Sequence, residues 1–221
     1  MAKSSSTQKK LFRTVKAKTE NQERYLQSIE ENLMTFGVGV AGGGKSYLAI
    51  YKALEAFKNG EIQKILLCRP AIEAGEKLGY LPGELEDKLD PYMIPLYDAI
   101  GDIVGFEECR RMVEKGLVQL ASLAHMRGRT FKDAIVILDE AQNTTPVQMK
   151  MFLTRFGYDT RYVITGDLSQ SDLRSNTNGL ADIINRLETR TFPPGVQVCW
   201  FDVNDVQRHE LVGQMIKLYE E

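Results

Sequence analysis

One glycine-rich motif constrains this chain more than any other feature. The pattern G-x-x-x-x-G-K-[ST] is complete over eight consecutive residues: Gly39, Val40, Ala41, Gly42, Gly43, Gly44, Lys45 and Ser46. Residues 33–38 form an apolar run typical of a buried strand, and residues 47–58 carry apolar side chains at helical spacing. The motif therefore has the strand–loop–helix context of a phosphate-binding loop. A Gly-rich turn that happens to precede a helix is the alternative interpretation.

The residue types of this motif suit the binding of a nucleoside triphosphate. Glycines let successive backbone N–H groups turn inward around phosphate groups, and the N-terminus of the following helix adds partial positive charge. Lys45 is predicted to reach the β- and γ-phosphates, and the Ser46 hydroxyl is predicted to bind Mg²⁺.

The composition is that of an ordinary soluble protein with one domain. The chain has 221 residues, of which 43% are hydrophobic and 26% are charged. No apolar stretch approaches the roughly 18 residues needed to cross a bilayer, so we expect no membrane partner. Cys68, Cys109 and Cys199 have no paired spacing, which favours buried free thiols and a reducing, cytoplasmic location over disulfides or metal ligands.

Basic residues are concentrated at the start of the chain, although the net charge is only −2. Residues 1–18 contain no acidic side chain and the following basic ones: Lys3, Lys9, Lys10, Arg13, Lys16 and Lys18. Such a segment is typical of an arm that binds a polyanion, and equally of a solvated, mobile terminus. We therefore expect a basic, flexible arm over residues 1–19 and a single domain over residues 20–221.

Strand-like runs alternate with helical stretches along the rest of the chain. A short helix is predicted at residues 20–32, and further strands are predicted at residues 64–68, 118–123, 134–138, 161–165 and 196–201. Residues 69–117 form a long insertion that ends in two amphipathic helical stretches. The alternation predicts an α/β fold with a mostly parallel sheet sandwiched by helices, and a helical insertion after the second strand.

Two adjacent carboxylates follow one of the most apolar predicted strands. Asp139 and Glu140 come directly after residues 134–138, and open parallel sheets place ligands at the carboxyl ends of their strands. Asp139 is predicted to hold Mg²⁺ through its water shell, together with Ser46. Glu140 is predicted to orient or deprotonate the attacking water.

A third acidic site closes the next strand, where Asp167, Ser169 and Gln170 follow one another closely. In P-loop proteins with a catalytic Glu after the Asp, one strand usually lies between the glycine-loop strand and the acidic strand. If residues 161–165 form that strand, Gln170 lies close to the γ-phosphate and Asp167 belongs to the nucleotide site. The alternative is a turn capped by Asp167 and Ser169.

Several sequence blocks resemble one known family. From residue 20 to the C-terminus, the chain is similar to the PhoH-like ATPases, relatives of the helicase superfamily 1 core. The resemblance rests on the glycine loop, on the run R-P-A-I-E-A-G-E-K-L-G-Y-L-P-G at residues 69–83, and on blocks at residues 127–131, 137–143, 166–170 and 205–209. It implies a RecA-like P-loop NTPase and ATP hydrolysis coupled to single-stranded nucleic acid, with RNA favoured.

The resemblance also implies roles for residues outside the loop. Gln22 is expected to bind the adenine edge, because a side-chain amide pairs with both a donor and an acceptor of the base. A solvent-facing glutamine on a short helix is the alternative. Arg208 is expected to complete the active site, acting across the interface of a ring or other homo-oligomer. Other arginines are candidates for the same position: Arg69, Arg127, Arg129, Arg155 and Arg174, with Arg127 or Arg129 next after Arg208.

The chain departs from the expected family pattern at a few positions. The family loop has the sequence G-P-A-G-T-G-K-T, so Val40, Gly43 and Ser46 replace Pro, Thr and the final Thr. Serine keeps the hydroxyl for magnesium, and the extra glycine makes the loop less rigid. Near the end of the chain, Gln207 and Glu210 stand where an aliphatic residue and a proline are expected, which weakens the role carried over to Arg208.

Two other functions share these motifs. A small-molecule kinase uses the same loop but has no use for a water-activating glutamate, so Glu140 argues against it. A nucleotide-dependent switch or assembly factor keeps the motifs but has little turnover. An Mg²⁺-dependent ATPase with a nucleic-acid partner is the function that the sequence favours over these alternatives.

Overall fold

The computed structural model describes residues 12–70, 91–171 and 178–207 of the chain. Its strands are β1 (Met34–Gly39), β2 (Lys64–Arg69), β3 (Val118–Ser122), β4 (Ala134–Leu138), β5 (Thr160–Gly166) and β6 (Val196–Phe201). They form one sheet in the order β3-β2-β4-β5-β1-β6, and every neighbouring pair is parallel. This is the RecA-like arrangement, with β5 between the loop strand β1 and the acidic strand β4.

Helices cover both faces of the sheet. They are α1 (Glu20–Glu31), α2 (Lys45–Lys58), α3 (Ile94–Val104), α4 (Phe106–Glu114), α5 (Pro146–Leu153) and α6 (Gly179–Glu188). The first four pack on one face and the last two on the other. Alternate side chains of β2 show the two layers, since Ile65 and Leu67 join the first core whereas Leu66 and Cys68 join the second.

The predicted elements are confirmed, with bounds that shift by at most two residues. Every residue of β4 is buried, as a strand covered on both faces requires. The two helical stretches of the insertion are α3 and α4, which pack against each other. Residues 71–90 of the insertion, which hold most of the distinctive R-P-A-I-E-A-G block, lie outside the described residues.

The start of the described chain differs from the expected flexible arm. The backbone N–H of Arg13 donates to the carbonyl of Ile103 at 2.8 Å, and the Arg13 guanidinium pairs with the carboxylate of Asp102 in α3. Phe12 packs beside Tyr51 of α2. The expectation of an arm over residues 1–19 is therefore wrong for residues 12–19, because an aromatic and an arginine tie them to the helices. Residues 1–11 are outside the described part.

Cys68, Cys109 and Cys199 are all buried free thiols, as predicted. Among the described residues, none of the helices has the length and hydrophobicity needed to cross a membrane.

Candidate nucleotide-binding site

The glycine loop joins the end of β1 to the start of α2, so the predicted strand–loop–helix context is confirmed. Gly42 and Gly44 have φ values of 83°, in the left-handed region that favours glycine. At Gly39, where φ is 133°, an added Cβ would lie 1.9 Å from the carbonyl oxygen of Phe201 on the neighbouring strand β6. The loop therefore needs glycine both for its turns and for its close contact with β6.

Lys45 begins α2 and folds back over the loop. Its Nζ donates to the carbonyl oxygens of Gly39 at 2.7 Å and Val40 at 2.6 Å, and the residue is only 7% exposed. Burial lowers the pKa of Lys45 below the usual 10.5, although several nearby carboxylates, that of Asp167 above all, partly oppose this effect. The ammonium is thus held above the loop by two of its carbonyl oxygens.

Asp139 lies at the end of β4 and is 2% exposed. Its Oδ1 accepts hydrogen bonds from Ser46 Oγ at 2.5 Å and from Thr165 Oγ1 at 2.6 Å. Its Oδ2 accepts from Nε and Nη2 of Arg69 at 2.8 and 2.6 Å. The two residues predicted to hold Mg²⁺, Ser46 and Asp139, are therefore in direct contact at the carboxyl edge of the sheet.

Thr165 had no predicted role, and Arg69 was one of six candidate arginines whose contact with Asp139 the sequence analysis did not predict. Each lies at or next to the carboxyl end of a strand beside β4, since β2 and β5 flank β4. The signal was their position at the ends of predicted strands, but it becomes usable only when the order of the strands is known. Arg69 also donates from Nη1 to the carbonyl of Tyr92, which links Asp139 to the helical insertion.

Glu140 follows Asp139 with a backbone in the left-handed region, at φ 54°. Such a conformation is strained for a residue with a side chain and is common at functional sites. The buried amide of Gln142 donates to Glu140 Oε2 at 2.6 Å and accepts from the backbone N–H of Asp167 at 3.1 Å. Gln142 had no predicted role, yet this one side chain sets the position of Glu140 relative to the end of β5.

Asp167 forms the capped turn that the sequence analysis kept as an alternative. Its Oδ1 accepts from the backbone N–H of Ser169 at 2.9 Å and from Ser169 Oγ at 2.6 Å. Gln170 follows this turn, and its side chain is exposed to solvent. Both Asp167 and Gln170 nevertheless border the phosphate cleft, and the capped turn holds them there.

The phosphate cleft has a volume of about 270 Å³. Its walls are the loop from Ala41 to Tyr47, the acidic pair Asp139 and Glu140, and the end of β5 with Gln170. Gly39, Val40 and Gly43 are loop residues that do not line it; Gly43 faces Phe201 and Asp205 instead.

A second cleft of about 450 Å³ meets the first at Gly44 and Tyr47. Gln22 borders it and is only 3% exposed, so the solvent-facing alternative for this residue is wrong. The Gln22 amide donates to the carbonyl of Gly43 at 3.0 Å and accepts from the backbone N–H of Lys18 at 2.8 Å.

The outer wall of the second cleft comes from residues 13–18 and from α3. Tyr47 donates its hydroxyl hydrogen to Asp102 Oδ2 at 2.5 Å, on the carboxylate that also binds Arg13. Burial and this hydrogen bond raise the pKa of Tyr47 to about 12. Arg13, Lys16 and Lys18, which were assigned to a flexible arm, therefore border the second cleft.

The described arginines among those proposed to complete the active site differ in their position relative to the phosphate cleft. Arg174 and Arg208 lie outside the described residues. Arg129 donates to Gln119 Oε1 at 2.7 Å and stacks over Phe131. Within the described part of the chain, Arg127, Arg129 and Arg155 do not border the phosphate cleft, whereas Arg69 contacts its buried aspartate.

The fold and the site together define a P-loop protein with a RecA-like sheet, a nucleotide-binding class of protein. The chain belongs to the PhoH-like protein family, whose model matches residues 14–220. It is 50% identical over 209 residues to a PhoH-like protein of Bacillus subtilis, covering 94% of this chain and 65% of that protein. It is 43% identical over 207 residues to Protein PhoH of Escherichia coli K12, covering 92% of this chain and 57% of that one. The chain thus spans less than two thirds of the length of these relatives.

Solved structures of low sequence similarity also match this chain. The Hef helicase domain of Pyrococcus furiosus matches with a TM-score of 0.49 and 12% identity, over 84% of this chain and 38% of that one. The Pif1 helicase of Candida albicans matches with a TM-score of 0.47 and 13% identity, over 93% of this chain and 44% of that one.

Proposed function

We propose that this chain binds Mg²⁺ and ATP and hydrolyses the ATP, and that hydrolysis is coupled to single-stranded nucleic acid, with RNA favoured. The observation that carries the proposal is the meeting of Lys45, the Ser46–Asp139 pair and Glu140 around one cleft. A kinase has no use for a water-activating carboxylate, so Glu140 at this cleft favours hydrolysis over transfer to an acceptor.

The residues present fit a hard cation beside phosphate groups. The Ser46 hydroxyl and the Asp139 carboxylate are oxygen donors of the kind that Mg²⁺ prefers. Among the described residues, no group of three His, Cys, Asp or Glu side chains could hold a metal ion by itself. This donor set suits an ion that keeps water and phosphate oxygens as its other ligands. When bound, Mg²⁺ neutralises negative charge on the phosphates, and Lys45 adds a second positive charge there.

Glu140 is the general base of this proposal. The carboxylate accepts a proton from the attacking water as the water oxygen bonds to the γ-phosphorus and the bond to the ADP oxygen breaks. Gln142 holds the Oε2 side of Glu140, which limits its rotation. Gln170, exposed at the edge of the cleft, is proposed to sense the γ-phosphate.

Gln22 is proposed to bind the adenine base in the second cleft. Its amide has two N–H donors and an oxygen with two lone pairs, and the protein uses one of each. The remaining donor and acceptor match the paired acceptor and donor on the adenine edge. Because Gln22 also contacts Gly43 in the loop, a bound base and bound phosphates would share one rigid frame.

The nucleic-acid partner is proposed from the family and from one exposed segment. Residues 125–132 carry exposed basic side chains with no acidic one: His125, Arg127, Arg129 and Lys132. Groove binding to single strands is electrostatic, with help from aromatic stacking. We further propose that a second copy of the chain supplies the missing wall of the cleft, with Arg208 reaching across, in a ring or other homo-oligomer located in the cytoplasm.

The test is the rate of phosphate release, with and without single-stranded RNA or DNA, for the wild-type chain and two variants. Lys45→Ala is expected to abolish binding or turnover. Glu140→Gln is expected to bind ATP but to hydrolyse it roughly 10²-fold more slowly, the scale of general-base loss. Phosphate release without an acceptor excludes the kinase. Wild-type binding with negligible turnover under all conditions would support the nucleotide switch instead.

A further inference from the structure

Asp205 is a buried carboxylate that the proposed chemistry does not use. It ends the short helical turn Val203–Asp205 after β6 and is 1% exposed. Its Oδ1 accepts a hydrogen bond from the Thr19 hydroxyl, and its Oδ2 accepts from Asn21 Nδ2 at 2.9 Å and from the backbone N–H of Asp202 at 2.8 Å. Burial alone would raise its pKa, but these hydrogen bonds and the charge of Lys45 lower the pKa overall, so Asp205 is ionised at neutral pH.

The hydrogen bond to Thr19 leads directly to the residue proposed to bind adenine. Thr19 is the N-cap of α1, and its Oγ1 accepts from the backbone N–H of Gln22 at 3.2 Å while donating to Asp205. Asn21, the other side-chain donor to Asp205, lies in the same first turn. Asp205 therefore accepts hydrogen bonds from two side chains, Thr19 and Asn21, at the start of the helical turn that carries Gln22.

The segment around Asp205 also contacts the glycine loop. The backbone N–H of Gln207 donates to the carbonyl of Gly42 at 3.1 Å. A Cβ at Gly43 would lie 3.0 Å from the ring of Phe201 and 3.5 Å from Cβ of Asp205. The Gly43 carbonyl is in turn the acceptor for Gln22. The end of β6 thus touches the loop on one side and the Gln22 turn on the other.

We infer that Asp205 is a positioning residue that holds Gln22 against the glycine loop and thereby sets the preference for an adenine base. The inference rests on the proposed binding of adenine by Gln22. A merely structural Asp205 would stabilise the domain, and its loss would affect all nucleotides alike. A positioning Asp205 acts through Gln22, so its loss affects adenine nucleotides and only while Gln22 is present.

The experiment is a double-mutant cycle on nucleotide affinity. The dissociation constants of ATP and GTP are measured for the wild-type chain, Asp205→Asn, Gln22→Ala and the double variant, together with kcat. Asp205→Asn is expected to weaken ATP binding about tenfold, the scale of one hydrogen bond to a charged group, with little change for GTP or in kcat. In the Gln22→Ala background, the same substitution is expected to change ATP affinity less than about twofold. Asp202→Asn is the matched control, since this exposed aspartate of the same turn caps Asn204.

Thr19 gives a second route if Asp205→Asn does not fold. Thr19→Ser keeps both hydrogen bonds and is expected to retain the preference for ATP, whereas Thr19→Val removes both and is expected to lose it. If the effects of the two substitutions on ATP affinity are additive, or if ATP and GTP affinities fall equally, the inference about Asp205 is overturned. The proposed adenine contact of Gln22 is then unaffected. If Gln22→Ala leaves the affinity for ATP unchanged, the proposed adenine contact fails and the inference fails with it, whatever Asp205→Asn does.

Discussion

Asp139 is a buried carboxylate that contacts several of the polar and charged side chains of the site. A carboxylate that is 2% exposed is stable only with partners, and this one has two hydroxyl donors on one oxygen and the Arg69 guanidinium on the other. Within the described part of the chain, Arg69 alone brings an opposite charge into direct contact with Asp139. The arginine is therefore as much a part of the acidic motif as Ser46, although Arg69 ends β2 and Ser46 lies in the first turn of α2.

Arg69→Gln is expected to destabilise the folded chain by about 3 kcal/mol, because removing one partner of a buried ion pair leaves the other charge uncompensated. Chemical denaturation measures this change in the free energy of unfolding. Arg186→Gln is the control, since its ion pair with Asp182 is largely exposed and should contribute little. Equal effects of the two substitutions would show that the Arg69–Asp139 contact has no special weight.

Nucleotide binding is expected to take up protons at alkaline pH through Lys45. Its pKa in the free folded chain lies below 10.5, so the free fold gains stability as the pH rises through that lowered value. Bound phosphates favour the ammonium and raise the pKa again, so ATP affinity should fall as the pH rises through the lowered value and be flat below it. Calorimetry in two buffers of different ionisation enthalpy measures the uptake. Lys45→Arg, which does not titrate in this range, should remove it; uptake that persists in this variant points to another group.

At the scale of elements, patterns along short stretches of sequence predicted the strands and the loop. They did not predict contacts between residues that are distant in the sequence. The glycine loop and the six described strands, including β4 before Asp139, follow from spacing and hydrophobicity along short stretches of chain. Arg69 and Thr165 reach Asp139 only because β2 and β5 flank β4, and strand order is set by packing of the whole sheet. Residues 12–19 resemble a polar terminus in composition, yet Phe12 and Arg13 find partners on α2 and α3.

The segment over residues 12–18 is expected to act as part of the nucleotide site. Deleting residues 1–18 removes the Lys18 N–H that holds the Gln22 amide and the Arg13 contact behind Tyr47. We expect the KM for ATP to rise about tenfold, as the loss of a hydrogen bond to a buried amide and part of a cleft wall suggests. Deleting only residues 1–11 should leave KM unchanged, which makes that shorter deletion the control. If both truncated chains have the same KM for ATP, residues 12–18 are not part of the nucleotide site.

At the scale of the whole molecule, charge placement matters more than charge total. A net charge of −2 gives no long-range attraction for a polyanion, so binding to nucleic acid has to come from local basic segments. Two basic segments are candidates once residues 12–18 are assigned to the nucleotide site: residues 125–132, with the exposed His125, Arg127, Arg129 and Lys132, and residues 1–11, with three lysines. They are distant in sequence, and their contributions can be separated by substitution.

Lys3, Lys9 and Lys10 are expected to contact phosphates of a single strand without reading its bases. Replacing all three by glutamine in the full-length chain should weaken binding about equally across sequences. It should also reduce the slope of log affinity against log salt by about 2, since each phosphate contact contributes about 0.7 for single strands. The KM for ATP serves as the internal control, because the residues around Gln22 and the loop are untouched. If the salt slope stays the same while Arg127→Ala reduces it, the polyanion lies along residues 125–132 alone, and the N-terminal lysines have no part in binding.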